Sequence, residues 1–234
     1  MLLVESEDVV AVAKTPGVSM ATSSRNQNSE QEAIERLLGS EREGLGTLFL
    51  VHRLDVGTSG VVLLAKNAAA HRKLSLAFQN RQARKTYRAV VWGHPRPAQG
   101  IWTDPLGRDP KDGRRMKVRA DGKRAVTRYR TLYRLPSVAD LCLEPETGRT
   151  HQIRVHLTAH GHPIVGDDLY GGAARWRGVR IRLHRDNLAS VRRPLLHAER
   201  IEIPDMGIDV TAPLPEDYSR MLACLTAPLP PGPR

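Results

Sequence analysis

The sequence predicts an α+β fold built on a largely antiparallel or mixed sheet. Two observations carry this. Short apolar runs of strand length, at 9–13, 61–65, 86–92, 126–132, 138–143 and 195–203, outnumber the segments with helical spacing. Few strand–helix–strand units recur, which argues against a doubly wound parallel sheet. With 234 residues the chain is long enough to bury a substantial core.

The elements follow in order. Residues 9–13 read as a strand, and Thr15-Pro16-Gly17 turns the chain after it. Residues 19–29 are polar and read as a loop. Ser29-Glu30-Gln31-Glu32 has the form of a capping box, and Ile34, Leu37 and Leu38 continue at helical spacing as far as Gly39. Residues 61–65 are apolar without alternation, the pattern of a central strand. Asn67 can cap a following helix, with Ala70, Leu74, Ala77, Phe78 and Arg81 along one face. Residues 94–123 are rich in Pro, Gly and charge, which predicts a long loop or hairpin rather than a packed layer. Residues 126–132 and 138–143 pair across the turn at Pro136-Ser137. Residues 150–160 predict a short helix ended by Gly161. Residues 172–194, Arg-rich and weakly periodic, predict a surface insertion. The Pro-rich segment 227–234 predicts an extended, flexible tail.

Composition narrows the function classes. A formal net charge of +11 and a pI near 10.2 call for a polyanionic partner, RNA or DNA by default. From residue 108 to 130 there are ten basic residues and three acids, a net +7. A basic loop of this kind tracks phosphates and makes binding salt-dependent. Arg175, Arg177, Arg180, Arg182, Arg185, Arg192 and Arg193 form a second basic region. Aromatic residues are only 4% of the chain, which disfavours a general single-strand binder that stacks successive bases. Cys142 and Cys224 lack CxxC spacing and read as reduced thiols of a cytoplasmic protein. The acidic start does not resemble a signal peptide, and no run reaches the length of a membrane span. His151, His156, His160 and His162 lack metal-ligand spacing, so no metal is expected.

One stretch carries the chemistry: His52-Arg53-Leu54-Asp55-Val56-Gly57-Thr58-Ser59-Gly60. It places a carboxylate, Asp55, beside Arg53 and ahead of a tight turn and a buried strand. Such an acid can be aimed at a substrate, and serves as nucleophile or base once a cation holds it. Arg154 is the candidate cation. It lies between apolar neighbours in Thr147-Gly148-Arg149-Thr150-His151-Gln152-Ile153-Arg154-Val155-His156-Leu157, where an arginine is rarely left unpaired. Tyr87 alternates with apolar residues on its strand. It is either a half-buried strand residue or a ring that stacks on a base.

Together these segments resemble the RluA-type pseudouridine synthases. The resemblance rests on His52 to Gly60, on Lys85-Thr86-Tyr87-Arg88-Ala89, on Gly148 to Leu157, on Gly161-His162-Pro163-Ile164-Val165-Gly166-Asp167 with Tyr170-Gly171, and on Leu196-His197-Ala198. It spans residues 8–218 and implies one catalytic domain over residues 1–226, with a mostly antiparallel sheet, flanking helices and a central cleft. It further implies a cofactor-free isomerase that turns uridine in rRNA or tRNA into pseudouridine. On that reading Asp55 is the catalytic aspartate, Arg154 its partner, and Tyr87 the ring against the target uracil. Arg53 would fill the space that the flipped nucleotide leaves. Arg53, Arg149, His151, Arg115, Lys117 and Arg124 are the expected RNA contacts.

The chain departs from the family in three places. There is no room for the small N-terminal RNA-binding domain that members often carry. The early Lys-Pro-x-Gly turn is altered to Lys14-Thr15-Pro16-Gly17, and segment 172–194 is longer. The two basic segments are expected to supply the RNA affinity of the missing domain. The competing reading is a non-catalytic RNA-binding or ribosome-assembly protein that keeps the fold. The joint presence of Asp55, Tyr87 and Arg154 favours the enzyme, because a pure binder needs no oriented carboxylate. A monomer without membrane attachment is expected.

Overall fold

A computed structural model of the chain describes residues 1–21 and 29–227. The strands are β1 (Leu2–Glu5), β2 (Val9–Lys14), β3 (Phe49–Leu50), β4 (Ser59–Ala65), β5 (Arg84–Trp92), β6 (Gln99–Trp102), β7 (Leu106–Arg108), β8 (Met116–Val118), β9 (Thr127–Leu135), β10 (Val138–Pro145), β11 (Leu196–Ile203) and β12 (Ile208–Thr211). The helices are α1 (Ser29–Leu38), α2 (Ala68–Gln79), α3 (Gln152–Ala159), α4 (Arg182–Ser190) and α5 (Glu216–Thr226). Ten strands form one sheet in the order β1-β2-β4-β11-β5-β10-β9-β6, with β3 paired to β4 and β12 to β11. The β4–β11 pair is parallel and the other strand pairs among the described residues are antiparallel. The expected α+β class with a mostly antiparallel sheet is therefore present.

Strand β4 shows why its sequence lacks alternation. Val61 and Leu63 pack with α2 on one face, while Val62 and Leu64 pack with α1 on the other. All seven of its residues are buried. Helix α2 starts as expected, with the Asn67 side chain accepting a hydrogen bond from the Ala70 amide at 2.8 Å. A third apolar cluster, on β5 and β10, is covered by α3, α4 and α5.

Register sets the site. Lys14 pairs with Gly60, Gly60 with Ala198, Ala198 with Tyr87, and Tyr87 with Leu143. This row crosses five strands and brings the ends of four motifs to one side of the sheet. Gly60 lies at φ +122, and a Cβ there would stand 2.1 Å from the Ala198 carbonyl oxygen. Only glycine allows β4 and β11 to approach this closely.

Several expectations need correction. Residues 94–123 contain the expected hairpin, formed by β7 and β8, but they also join a packed layer: β6 extends the sheet edge, and Trp102 stacks on Tyr129 with centroids 4.0 Å apart. Residues 172–194 lie mostly at the surface, as expected, but are more ordered than their weak periodicity suggests. They include α4, which buries His184 and Leu188 one turn apart and turns its arginines outward. Arg81 is not on the α2 face; it lies beyond the helix end, at φ +61. Helix α3 begins at Gln152 rather than residue 150, because His151 adopts a left-handed conformation. Strands β1, β3 and β12 and helix α5 had no clear sequence signal. Part of the 19–29 loop and residues 228–234 of the expected tail lie outside the described residues.

Helix α5 is tied to the sheet by a buried polar pair. The Tyr218 hydroxyl donates to Asp140 Oδ1 at 2.7 Å, and Asp140 also accepts from Arg88. Tyr218→Phe should destabilise the protein by about 1–2 kcal/mol, a fall in Tm of roughly 3–6 °C by calorimetry.

Candidate active site

A cleft of about 710 Å³ opens at the motif-bearing end of the sheet. Asp55 and Tyr87 line it together with Arg53, Arg81, Lys85, Arg149, His151 and Arg154. Asp55 sits in the turn that leads into β4, where the Thr58 amide donates to the Asp55 carbonyl at 3.0 Å. Arg154 comes from the first turn of α3, which Gln152 sets in place. The Gln152 side-chain oxygen accepts from the Thr147 hydroxyl (2.6 Å) and the Arg149 amide (3.1 Å), closing the loop before the helix.

The buried guanidinium of Arg154 is shared between two carboxylates. Its Nε and Nη2 donate to the fully buried Asp167 at 2.8 and 3.0 Å. Its Nη1 donates to Asp55 Oδ2 at 3.0 Å. The fork geometry of guanidinium makes this possible, since one edge is locked while the remaining donor is aimed. Asp55 lines the cleft, and its Oδ1 has no hydrogen-bond partner among the described residues. The Arg154 guanidinium also lies over the Tyr170 ring, 4.9 Å from its centroid.

Tyr170 joins three parts of the site. Its hydroxyl accepts from the Met116 amide of β8 at 2.9 Å and contacts His151 Nδ1 at 2.8 Å. If the hydroxyl donates there, the other His151 nitrogen carries the proton toward Asp55 Oδ2, 3.8 Å away. Burial lowers the His151 pKa, against the pull of Asp55, and so favours the neutral ring. Burial, reinforced by the Asp55 charge, raises the Tyr87 phenol pKa and keeps it protonated. The Tyr87 hydroxyl has no hydrogen-bond partner among the described residues.

The carbonyls of the Asp55 turn are held by cations. Lys14, 2% exposed, donates to the carbonyls of Val56 (3.1 Å), Thr58 (2.8 Å) and Thr15 (3.0 Å). Arg193 donates to the Gly57 carbonyl at 3.3 Å while its other edge grips Asp217. Gly57 has no room for a side chain, since a Cβ would stand 2.8 Å from Pro194 Cδ. His52 has a structural part: its Nε2 accepts the Leu63 amide at 3.0 Å and its ring stacks on Phe78. Burial lowers its pKa to about 3, so it stays neutral.

The structure thus gathers Asp55, Tyr87, Arg154, Arg53, Arg149 and His151 in one cleft. Arg115, Lys117 and Arg124 do not line it. They belong to the β7–β8 hairpin and the segment after it, which is fastened to the cleft at two points. Arg115 lies over the Tyr170 ring (5.4 Å to its centroid), and Arg149 donates to the Arg124 carbonyl at 3.1 Å. Sequence reasoning left Asp167, Tyr170 and Lys14 without roles and counted Arg193 only in the second basic region, whereas it is paired with Asp217 and holds the Gly57 carbonyl. The signal for Lys14 was a lysine closing an apolar strand, and for Asp167 an acid after a Gly within reach of a buried arginine. Among the described residues, no group of three or more His, Cys, Asp or Glu side chains is placed to hold a metal ion.

A single aimed carboxylate at the base of a cationic cleft defines a site for one nucleotide of a polyanionic chain. Comparison with known proteins makes the class specific. Residues 8–159 match the family described as RNA pseudouridylate synthase. The chain is 34% identical over 222 residues to the dual-specificity RNA pseudouridine synthase RluA of Escherichia coli, covering 93% of this chain and 94% of that one. It is 36% identical over 222 residues to the uncharacterized RNA pseudouridine synthase YjbO of Bacillus subtilis, covering 94% and 75%. Among solved structures, human RNA pseudouridylate synthase domain containing 4 superposes with a TM-score of 0.76 at 25% identity, covering 98% of this chain and 94% of that one. The chain belongs to the RNA pseudouridylate synthase family and is of the RluA type. It is an isomerase that converts uridine in RNA to pseudouridine.

Two predictions follow from the geometry. Asp167→Asn leaves Arg154 buried without its main counter-charge, so stability should fall by about 3–5 kcal/mol in urea titrations. Burial, aided by Arg193 and opposed by Asp55, lowers the Lys14 pKa from 10.5 to about 8. The unfolded chain therefore binds more protons than the folded one between these values, and this group makes stability rise from about pH 8 to 10.5. Lys14→Met should remove that rise from the pH dependence of the urea midpoint.

Proposed function

We propose that Asp55 is the residue that acts at the ribose C1′ of the target uridine, with Arg154 orienting it and Tyr87 packed on the uracil. The observation that carries this is the asymmetry of the Asp55 carboxylate. In a residue that lines the cleft, Oδ2 is fixed by Arg154 while Oδ1 has no hydrogen-bond partner among the described residues. In the reaction the N1–C1′ bond breaks, the uracil turns, a C5–C1′ bond forms, the C5 proton leaves and N1 gains a proton. No electrons are exchanged with a second reactant, so an oriented carboxylate in a site that excludes water meets the need. Asp55 serves either as the nucleophile at C1′ or as the base that follows glycosidic cleavage. Tyr87, a neutral phenol, is suited to stack on the ring and to donate a hydrogen bond.

Arg53, Arg149 and His151 are assigned to the nucleotides around the extruded base, and Arg115, Lys117 and Arg124 to phosphates farther along the strand. The support is their position at the cleft and on the hairpin beside it. A pure RNA-binding role would leave the Asp167–Arg154–Asp55 chain without purpose. We assign the substrate to rRNA or tRNA and the protein to the cytoplasm as a monomer. Mapping pseudouridines in cells with and without the gene tests the first, and sedimentation of the purified protein tests the oligomeric state.

Tritium release from RNA labelled at uridine C5 measures the chemistry directly. Asp55→Asn should lower its rate by at least about 100-fold while leaving RNA binding in place. Undiminished release by this variant would remove Asp55 from the role.

A further inference from the structure

Four cations of the cleft, Arg53, Arg81, Lys85 and Arg149, have no acidic partner among the described residues, and two of them, Arg81 and Lys85, lie on one stretch of chain. Asp55 is held by Arg154, and Glu146 by Arg128 at 2.7 Å outside the cleft. Arg81 is exposed and has no acidic partner among the described residues. Lys85, half-buried on the same stretch of chain, has no hydrogen-bond or ion-pair partner among them either. Burial lowers its pKa, the mark of an ammonium that lacks a counter-ion.

Arg81 has a second peculiarity. Helix α2 ends in a Schellman arrangement, with the Gln82 amide donating to the Ala77 carbonyl (2.9 Å) and the Arg81 amide to that of Phe78 (3.2 Å). The residue at the left-handed position of this turn is usually glycine, and here it is an arginine at φ +61. Any side chain with a Cβ is disfavoured in that conformation. Three non-glycine residues among those described have positive φ, and two of them, Arg81 and His151, line the cleft. Strain retained at a site is commonly tied to what the side chain does there.

We infer that Arg81 and Lys85 form a phosphate-binding strip that grips the RNA backbone next to the extruded uridine. Arg81 takes a phosphate at the mouth and Lys85 one deeper along the wall. The turn at the end of α2 accepts an unfavourable residue because that position aims its side chain across the entrance. This assignment rests on the reading of the cleft as a site for uridine in RNA.

The test uses the full chain and a fluorescently labelled stem–loop RNA with uridines in its loop. Binding is measured by anisotropy over a range of salt concentrations, alongside thermal unfolding. Arg81→Gly and Arg81→Asn suit the turn but lack the charge. Both should weaken binding about 5- to 10-fold and reduce the slope of log K against log salt by about 0.7–0.9, one phosphate contact. Their Tm should be unchanged or higher by roughly 1–4 °C. Arg81→Lys should keep the slope, and Lys85→Met should lose one contact in the same way. In tritium release from the same RNA labelled at C5, the Arg81 variants should raise KM more than they lower kcat. Affinity and salt slope unchanged in Arg81→Asn would overturn the inference. So would a Tm that falls together with affinity, or a loss confined to kcat. If the wild type released no tritium from any tested RNA, the uridine reading would fail, while the binding measurements would still decide for or against the strip.

Discussion

The site depends on one arginine that is buried with two carboxylates. Removing an ion from water costs several kcal/mol, and only near-ideal pairing offsets it. Asp167 supplies that pairing through both of its oxygens, which fixes the Arg154 guanidinium before any substrate arrives. What remains of the fork is a single donor pointing at Asp55. The Asp55 carboxylate is therefore oriented by a group that is itself held by the core, and its other oxygen has no hydrogen-bond partner among the described residues.

The same logic extends to the backbone under Asp55. Three consecutive turn carbonyls, those of Val56, Gly57 and Thr58, accept hydrogen bonds from Lys14 or Arg193. Lys14 comes from β2 and Arg193 from the segment before β11, so the turn is fastened from two sides of the sheet. Asp217 at the start of α5 anchors Arg193 in turn. Preorganisation of this kind means that little needs to move when the nucleotide enters. Tyr170 performs a related service at the other wall, where it links the α3 arginine, His151 and the β7–β8 hairpin through one ring and one hydroxyl.

Much of the site was legible in the chain because its motifs are local. The run from His52 to Gly60 specifies a turn before a strand, and the apolar flanks of Arg154 announce a buried cation. The strand positions of residues 61–65 and the cap at Asn67 were likewise written in pattern and turn chemistry. The misreadings have physical causes. In segment 172–194 seven arginines are interspersed among the apolar positions, so the two inward residues of α4 were masked by charge although they decide its packing. In 94–123 the strands are only three or four residues long, too short for a period to show. Arg81 continued the apparent α2 face in spacing, and the left-handed turn that removes it from the helix is normally signalled by a glycine that is absent here.

The sequence by itself determined the α+β class, the strands that carry the motifs, the identity of the aspartate and of its arginine, and the charge that calls for a polyanion. Each of these follows from residue type and short-range spacing. The tertiary structure alone decided which groups hold that pair. The row from Lys14 through Gly60, Ala198 and Tyr87 to Leu143 is a matter of strand register, and the contacts of Tyr170 with Met116 and of Arg193 with Gly57 span 54 and 136 residues of chain. Burial, which keeps Tyr87 and His52 neutral and leaves Lys85 short of a counter-ion, is likewise a property of the assembled cleft.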